Sequence, residues 1–186
     1  IEPDPSEKVV EACLSVYEQA GCDCVVAVGG GSSMDVAKVV SALARGEQSL
    51  PDIYGVGQVT SSRMPLFLAP TTAGTGSEVT PVAIITTGAT TKAGVSSPVL
   101  LPDVAVLDAE LTTGLPSSIT AMTGIDAMVH AIEAYTSKIK KNPISDALAL
   151  RALELLGGNI RRVLSKPDDL AAREAMLLGS MFAGQA

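Results

Sequence analysis

Cys24-Val25-Val26-Ala27-Val28-Gly29-Gly30-Gly31-Ser32-Ser33-Met34-Asp35 carries the reading of the fold. The run at 24–28 is apolar, rich in valine and too short for a helix, so it reads as a buried strand. Three residues without side chains follow, and from Met34 to Ala44 the apolar residues recur at helical spacing. Strand, glycine turn and helix in that order are α/β grammar, with a parallel sheet expected. Such a turn exposes backbone N–H groups at a helix N-terminus, a setting that favours phosphate. Glycine matters because a β-carbon would hold a pyrophosphate away from the backbone, and Ser32 adds a hydroxyl donor. A tight turn with no ligand satisfies the same residues. Spacing does not choose between the two, since the pattern is neither GxGxxG nor a Walker loop with lysine directly after glycine.

Working outward, residues 6–20 read as an amphipathic helix with Val9, Val10, Cys13, Leu14 and Tyr17 on one face and Ser6 as candidate N-cap. A polar stretch at 46–63 leads to a second apolar strand at 65–69, which runs into Pro70-Thr71-Thr72-Ala73-Gly74-Thr75-Gly76-Ser77-Glu78. Hydroxyls and free amides there suit a ribose or a phosphate, while Thr75 or Ser77 capping a helix toward Glu78 is the competing reading. Ligands of open α/β sheets bind beyond the carboxyl ends of strands, where both turns fall. Residues 82–86 and 104–107 read as further strands with a turn-prone Thr/Gly stretch between them. After Pro116 the grammar changes to helices at 117–137, 145–164 and 168–183, broken at Asn142-Pro143 and Lys166-Pro167. A domain boundary is expected near 116. A sheet begun near residue 24 wants neighbouring strands that the chain scarcely offers, and the last helix stops without a clear terminus. The expectation is an internal piece of a longer protein.

Bulk composition narrows the function class. In 186 residues, 47% are hydrophobic and 18% charged, which argues for a globular core, and no apolar run approaches the roughly 18 residues of a membrane helix. A net charge of −7 disfavours nucleic acid and anionic membranes, the Lys138, Lys140, Lys141 cluster reading as a solvated helix end. Cys13, Cys22 and Cys24 are odd in number and crowded together, which fits a reduced, cytoplasmic setting and offers no zinc-ligand spacing.

The sole histidine, His130, lies four residues after Asp126 and three before Glu133, so a helix projects these groups from one face. Carboxylate beside imidazole suits Fe²⁺ or Zn²⁺, an ion able to polarise an alcohol oxygen. An ordinary helical ion pair uses the same spacing, and a metal site needs three or four ligands.

Taken together, Gly29-Gly30-Gly31-Ser32 with Asp35 and Lys38, Pro70-Thr71-Thr72 through Glu78, and Gly124-Ile125-Asp126 through His130 to Glu133 resemble the iron-containing (group III) alcohol dehydrogenases. The similarity extends through Leu101-Pro102, Leu107-Asp108, Gly114-Leu115-Pro116 and Asn142-Pro143-Ile144-Ser145-Asp146, nearly the whole chain. The resemblance implies α/β followed by all-α: residues 1–116 as the C-terminal part of a Rossmann-like dinucleotide-binding domain and 117–186 as the start of a helical, metal-binding domain, with the active site in the cleft between. It implies NAD(P) and Fe²⁺ (or Zn²⁺) as cofactors. Gly30, Gly31 and Ser32 would hold the pyrophosphate, with Asp35 among the cofactor-binding residues. Thr71 and Thr72 would line the adenosine and ribose side, and Thr80 and Lys92 would approach the nicotinamide half. Asp126 and His130 would be the first two metal ligands; the family's other two are downstream histidines this chain lacks. No residue reads as a dedicated general base, so catalytic residues beyond the metal ligands are not expected. The implied activity is hydride transfer between a short-chain alcohol or aldehyde and NAD(P), with a fragment incomplete for catalysis. A hydroxyacid–oxoacid transhydrogenase and a catalytically silent dinucleotide-binding fragment are the alternatives. The expected partner is a small-molecule substrate, with a homo-oligomer left open.

Overall fold

The computed structural model describes residues 1–186. The chain forms two compact units: Ile1–Ala69 with Thr80–Val106, and Pro70–Val79 with Leu107–Ala186.

In the first unit, helix α1 (Glu7–Ala20) precedes strand β1 (Val25–Gly29) and helix α2 (Gly31–Leu43). Strands β2 (Gly55–Val56), β3 (Leu66–Pro70), β4 (Val82–Thr87), β5 (Thr91–Ser96) and β6 (Val104–Ala105) follow. The expected parallel sheet is present in the order β1-β3-β6, with Phe67 opposite Val104 and Leu68 opposite Ala105. Its strands are held by the apolar run: Leu66 and Leu68 are fully buried with Ala27 against Met34 and Ala37 of α2. Burial of each large side chain contributes about 1.5–3 kcal/mol. A second core gathers Val10, Val36, Val39, Val40, Leu43, Ala83, Ile85 and Val95, so α2 is sandwiched and buried on nearly every face.

The second sheet departs from the sequence expectation. The turn-prone stretch after residue 86 contains β5, which pairs antiparallel with β4 from Val82–Ser96 to Thr87–Thr91, while β2 joins β5 in parallel. Within β5 only Val95 is fully buried, so its Thr, Lys and Gly residues give no alternating apolar signal, and pairing with β4 makes the strand. The last strand is shorter than its expected 104–107.

A polar staple closes the start of the parallel sheet. Asp103 Oδ2 accepts from Arg63 Nη1 at 2.6 Å and from the Leu66 N–H at 2.8 Å, while Arg63 Nε donates to the Leu101 carbonyl at 3.0 Å. The Arg63 hydrogen bond, helped by the Leu66 amide, lowers the Asp103 carboxyl to about 2. A lowered carboxyl stabilises the fold above its unfolded-state value near 3.9 and loses that contribution as pH falls toward 2. Urea midpoints of the Asp103→Asn variant should therefore fall less steeply than those of the unaltered chain between pH 4 and pH 2.5. Parallel slopes would mean that the staple contributes no acid-sensitive stability.

In the second unit, α3 (Ser117–Thr136), α4 (Pro143–Ser165) and α5 (Leu170–Gln185) match the three expected helices to within two residues at each end. Asn142, followed by Pro143 in the first helical position, accepts from the Ile144 and Ser145 amides at 3.0 Å each, which explains why α4 begins there. Ala127, Ala131, Ala149, Ala152, Leu156 and Met176 form the core; small residues let the helices approach closely. No helix is long and apolar enough to cross a membrane.

Candidate nucleotide and metal sites

The glycine turn has a form compatible with phosphate binding. Gly30 is the N-cap of α2 in an extended conformation and offers no side chain to its first-turn N–H groups. At Gly29 a β-carbon would fall 2.6 Å from Ser33 Oγ and 2.7 Å from Ser33 Cβ, so the strand can enter the helix this tightly only with glycine. Gly30, Gly31 and Ser32 thus form a bare helix N-terminus in the first unit.

Behind that turn, Asp35 and Lys38 are spent on the fold. Asp35 Oδ2 accepts the Ile84 N–H of β4 at 2.9 Å. Lys38, fully buried, donates from Nζ to the carbonyls of Thr80 (2.9 Å) and Val82 (2.8 Å) and to Thr80 Oγ1 (3.3 Å), with Asp35 Oδ1 at 4.0 Å. Sequence reasoning noted Lys38 only as part of a motif, because a helical lysine is by default a solvated one. Lys92 lies on β5 with its ammonium 2.6 Å from Asp4 Oδ1, more than half exposed, where residues 4–6 run along β4. It makes no contact with the glycine turn or with Thr80 among its hydrogen bonds and ion pairs.

Thr71 and Thr72 are half-buried at the head of the loop Pro70–Val79, which belongs to the second unit. Thr75 Oγ1 accepts the Ser77 amide at 3.2 Å, and Ser77–Val79 is a single 3₁₀ turn leading to β4, so no α-helix follows for this segment to cap. The loop is seated by two glycines. A β-carbon at Gly74 would fall 2.8 Å from Thr123 Cβ on α3, and one at Gly76 would fall 3.0 Å from Gly184 Cα on α5.

Asp126 and His130 project from α3 with Oδ1 and Nε2 3.8 Å apart, both partly exposed. Metal bonds of about 2.0–2.2 Å put two donors of one tetrahedral ion about 3.4 Å apart, so a small side-chain adjustment brings this pair onto a shared ion. Glu133 does not join them, and no group of three His, Cys, Asp or Glu side chains converges anywhere in the chain. The pair therefore fits a divalent ion as half of its ligand set. Met122, Ile125, Val129 and Ile132 form an exposed apolar row on the same helix.

Comparison with known proteins identifies the family. Residues 1–109 match the iron-containing alcohol dehydrogenase model and residues 120–186 the model of the C-terminal part of that family. The probable alcohol dehydrogenase EutG of Escherichia coli strain K12 is 45% identical over 181 residues, 96% of this chain and 46% of that protein. The crystal structure of a 1,3-propanediol oxidoreductase superposes with a TM-score of 0.96 at 39% identity, covering 100% of this chain and 49% of that one. The sulfoacetaldehyde reductase of Bifidobacterium kashiwanohense, solved in complex with NAD⁺, gives a TM-score of 0.90 at 37% identity over 99% of this chain and 49% of its own. The chain spans about half the length of the relatives it matches. With both family models matched in order and the Rossmann-like α/β unit followed by helices, this chain belongs to the iron-containing alcohol dehydrogenase family.

Proposed function

We propose that the chain is the nucleotide-binding and half of the metal-binding machinery of an alcohol dehydrogenase that exchanges hydride between a short-chain alcohol or aldehyde and NAD(P). The observation that carries the proposal is the Asp126–His130 pair, two donors 3.8 Å apart on an apolar helix face in a chain of this family.

In this reading the bare first turn of α2 binds the pyrophosphate through the Gly31 and Ser32 amides, with the Ser32 hydroxyl as a further donor. Thr71 and Thr72 offer hydroxyls to the ribose side, and Thr80 to the nicotinamide half. Lys92 is proposed on the family pattern alone, since its ammonium rests on Asp4. Asp126 and His130 hold Fe²⁺ or Zn²⁺. When bound, the ion supplies a Lewis acid that polarises the substrate oxygen, and the nicotinamide supplies the hydride. Asp35 and Lys38 fasten α2 to β4 behind the nucleotide, and the chain supplies no general base at the metal pair.

For the 186 residues by themselves, binding of nucleotide without turnover is the reading favoured by the absence of a third ligand. NADH fluorescence titration, Fe²⁺ or Zn²⁺ content and NADH oxidation with a short aldehyde test the proposal together. NADH binding with weak metal retention and no aldehyde reduction is expected. Aldehyde reduction by the 186-residue chain would mean that the metal centre lies elsewhere, and lack of any NADH binding would overturn the nucleotide assignment.

A further inference from the structure

Lys38 is the largest fully buried side chain in the protein. An ammonium in such a place is costly unless every proton is used. Lysine carries three N–H donors and no acceptor. Its hydrogen bonds include three, to the Thr80 carbonyl, Thr80 Oγ1 and the Val82 carbonyl. Two of the three fall on one residue, Thr80, at the entrance to β4. The helix that begins at the glycine turn is thereby tied to a threonine 42 residues further along the chain.

The bond to Oγ1 has a directional consequence. Because Lys38 can only donate, the Thr80 hydroxyl is obliged to accept from it, and the hydroxyl proton must point away from Nζ. Thr80 is half-buried, so the residue is not sealed in the core. The hydroxyl is left as a donor turned away from Nζ, and its charged partner strengthens it, since hydrogen bonds in a chain polarise one another.

We infer that Lys38 is a positioning residue for the nucleotide: it fixes Thr80 so that the hydroxyl donates to an acceptor on the nicotinamide half, the carboxamide oxygen. Lys38 itself touches no ligand. The inference rests on the assignment of Thr80 to the nicotinamide half, and the test separates the two.

Calorimetric titration of the 186-residue chain with NAD⁺ and with ADP-ribose, which lacks the nicotinamide, provides that separation. Lys38→Met should weaken NAD⁺ by about fivefold to tenfold, the worth of one hydrogen bond, and leave ADP-ribose within twofold. Thr80→Val should produce the same selective loss, Thr80→Ser should restore it, and the Lys38→Met/Thr80→Val double variant should lose no more than either single one. Equal weakening of both ligands by Lys38→Met would reduce Lys38 to a structural role and overturn the inference, as would no weakening of either. Should Lys38→Met fail to fold, the Thr80 pair carries the test: Val and Ser behaving alike overturns it. An unaltered chain that binds ADP-ribose but gains nothing from the nicotinamide would overturn the assignment of Thr80. Failure to bind either ligand would overturn the nucleotide site as a whole.

Discussion

Gly76→Ala should destabilise the helical unit by about 2 kcal/mol or more and loosen its threonine loop, whereas Gly157→Ala on α4 should stabilise it. Gly76 sits at φ +59, and an alanine there takes on the left-handed penalty of about 1–2 kcal/mol. The added β-carbon then meets backbone: Gly184 Cα at 3.0 Å, the Ser180 carbonyl at 3.1 Å and the Gly184 nitrogen at 3.3 Å. Those atoms belong to α5 and cannot rotate aside as a side chain would, so the loop must lift. Gly157 has no atom within 4 Å of an added β-carbon and lies inside a helix, where alanine is favoured over glycine by about 0.5–1 kcal/mol. Urea unfolding of the two variants gives the sign directly. Because Gly76 and Thr72 share one short loop, Gly76→Ala should also weaken ADP-ribose binding, which calorimetry measures. Equal stability of Gly76→Ala and the unaltered chain would mean that the loop is not seated by this contact.

The contrast between these glycines bears on what a sequence can disclose. Strand β1 and its turn were legible because a short valine run ending in three glycines reads as a strand with a sharp entry into a helix, but the strand is not the buried one expected: Ala27 is buried while Val26 and Val28 are exposed. The helices α3, α4 and α5 were legible from 3.6-residue periodicity and from Asn142-Pro143 and Lys166-Pro167 between them. Strand β5 was not, since only Val95 of its six residues is fully buried and its formation depends on β4. The seating of the loop Pro70–Val79 on α3 and α5 depends on Gly74 and Gly76 meeting residues far along the chain, which no local pattern encodes. Lys38 shows the same limit in chemical form. Its position in a helix is plain, but three acceptors on Thr80 and Val82 turn it from a surface charge into an interior one. At α3 the spacing of Asp126 and His130 was readable, and their approach to 3.8 Å follows from a regular helix.

That spacing also serves an ordinary helical ion pair, and the two roles make opposite demands on a variant. A helical pair contributes about 0.2–0.5 kcal/mol, so as an ion pair alone its loss would register weakly in stability and nowhere else. As metal ligands, Asp126 and His130 are each half of what the chain can offer an ion. His130→Ala and Asp126→Ala should each abolish measurable Fe²⁺ or Zn²⁺ binding by the 186-residue chain. In a protein of the relatives' full length, either change should lower aldehyde reduction by more than about a hundredfold, beyond what loss of an outer-shell partner of a metal ligand costs. Fold stability should stay within about 0.5 kcal/mol, as for exposed positions generally. NADH affinity should be unchanged, because neither side chain is among the residues assigned to the nucleotide. Metal titration, unfolding and NADH titration of the same two variants therefore separate the roles. A stability change with metal binding intact would leave only the ion pair, while metal loss at constant stability and constant NADH affinity identifies these two residues as ligands.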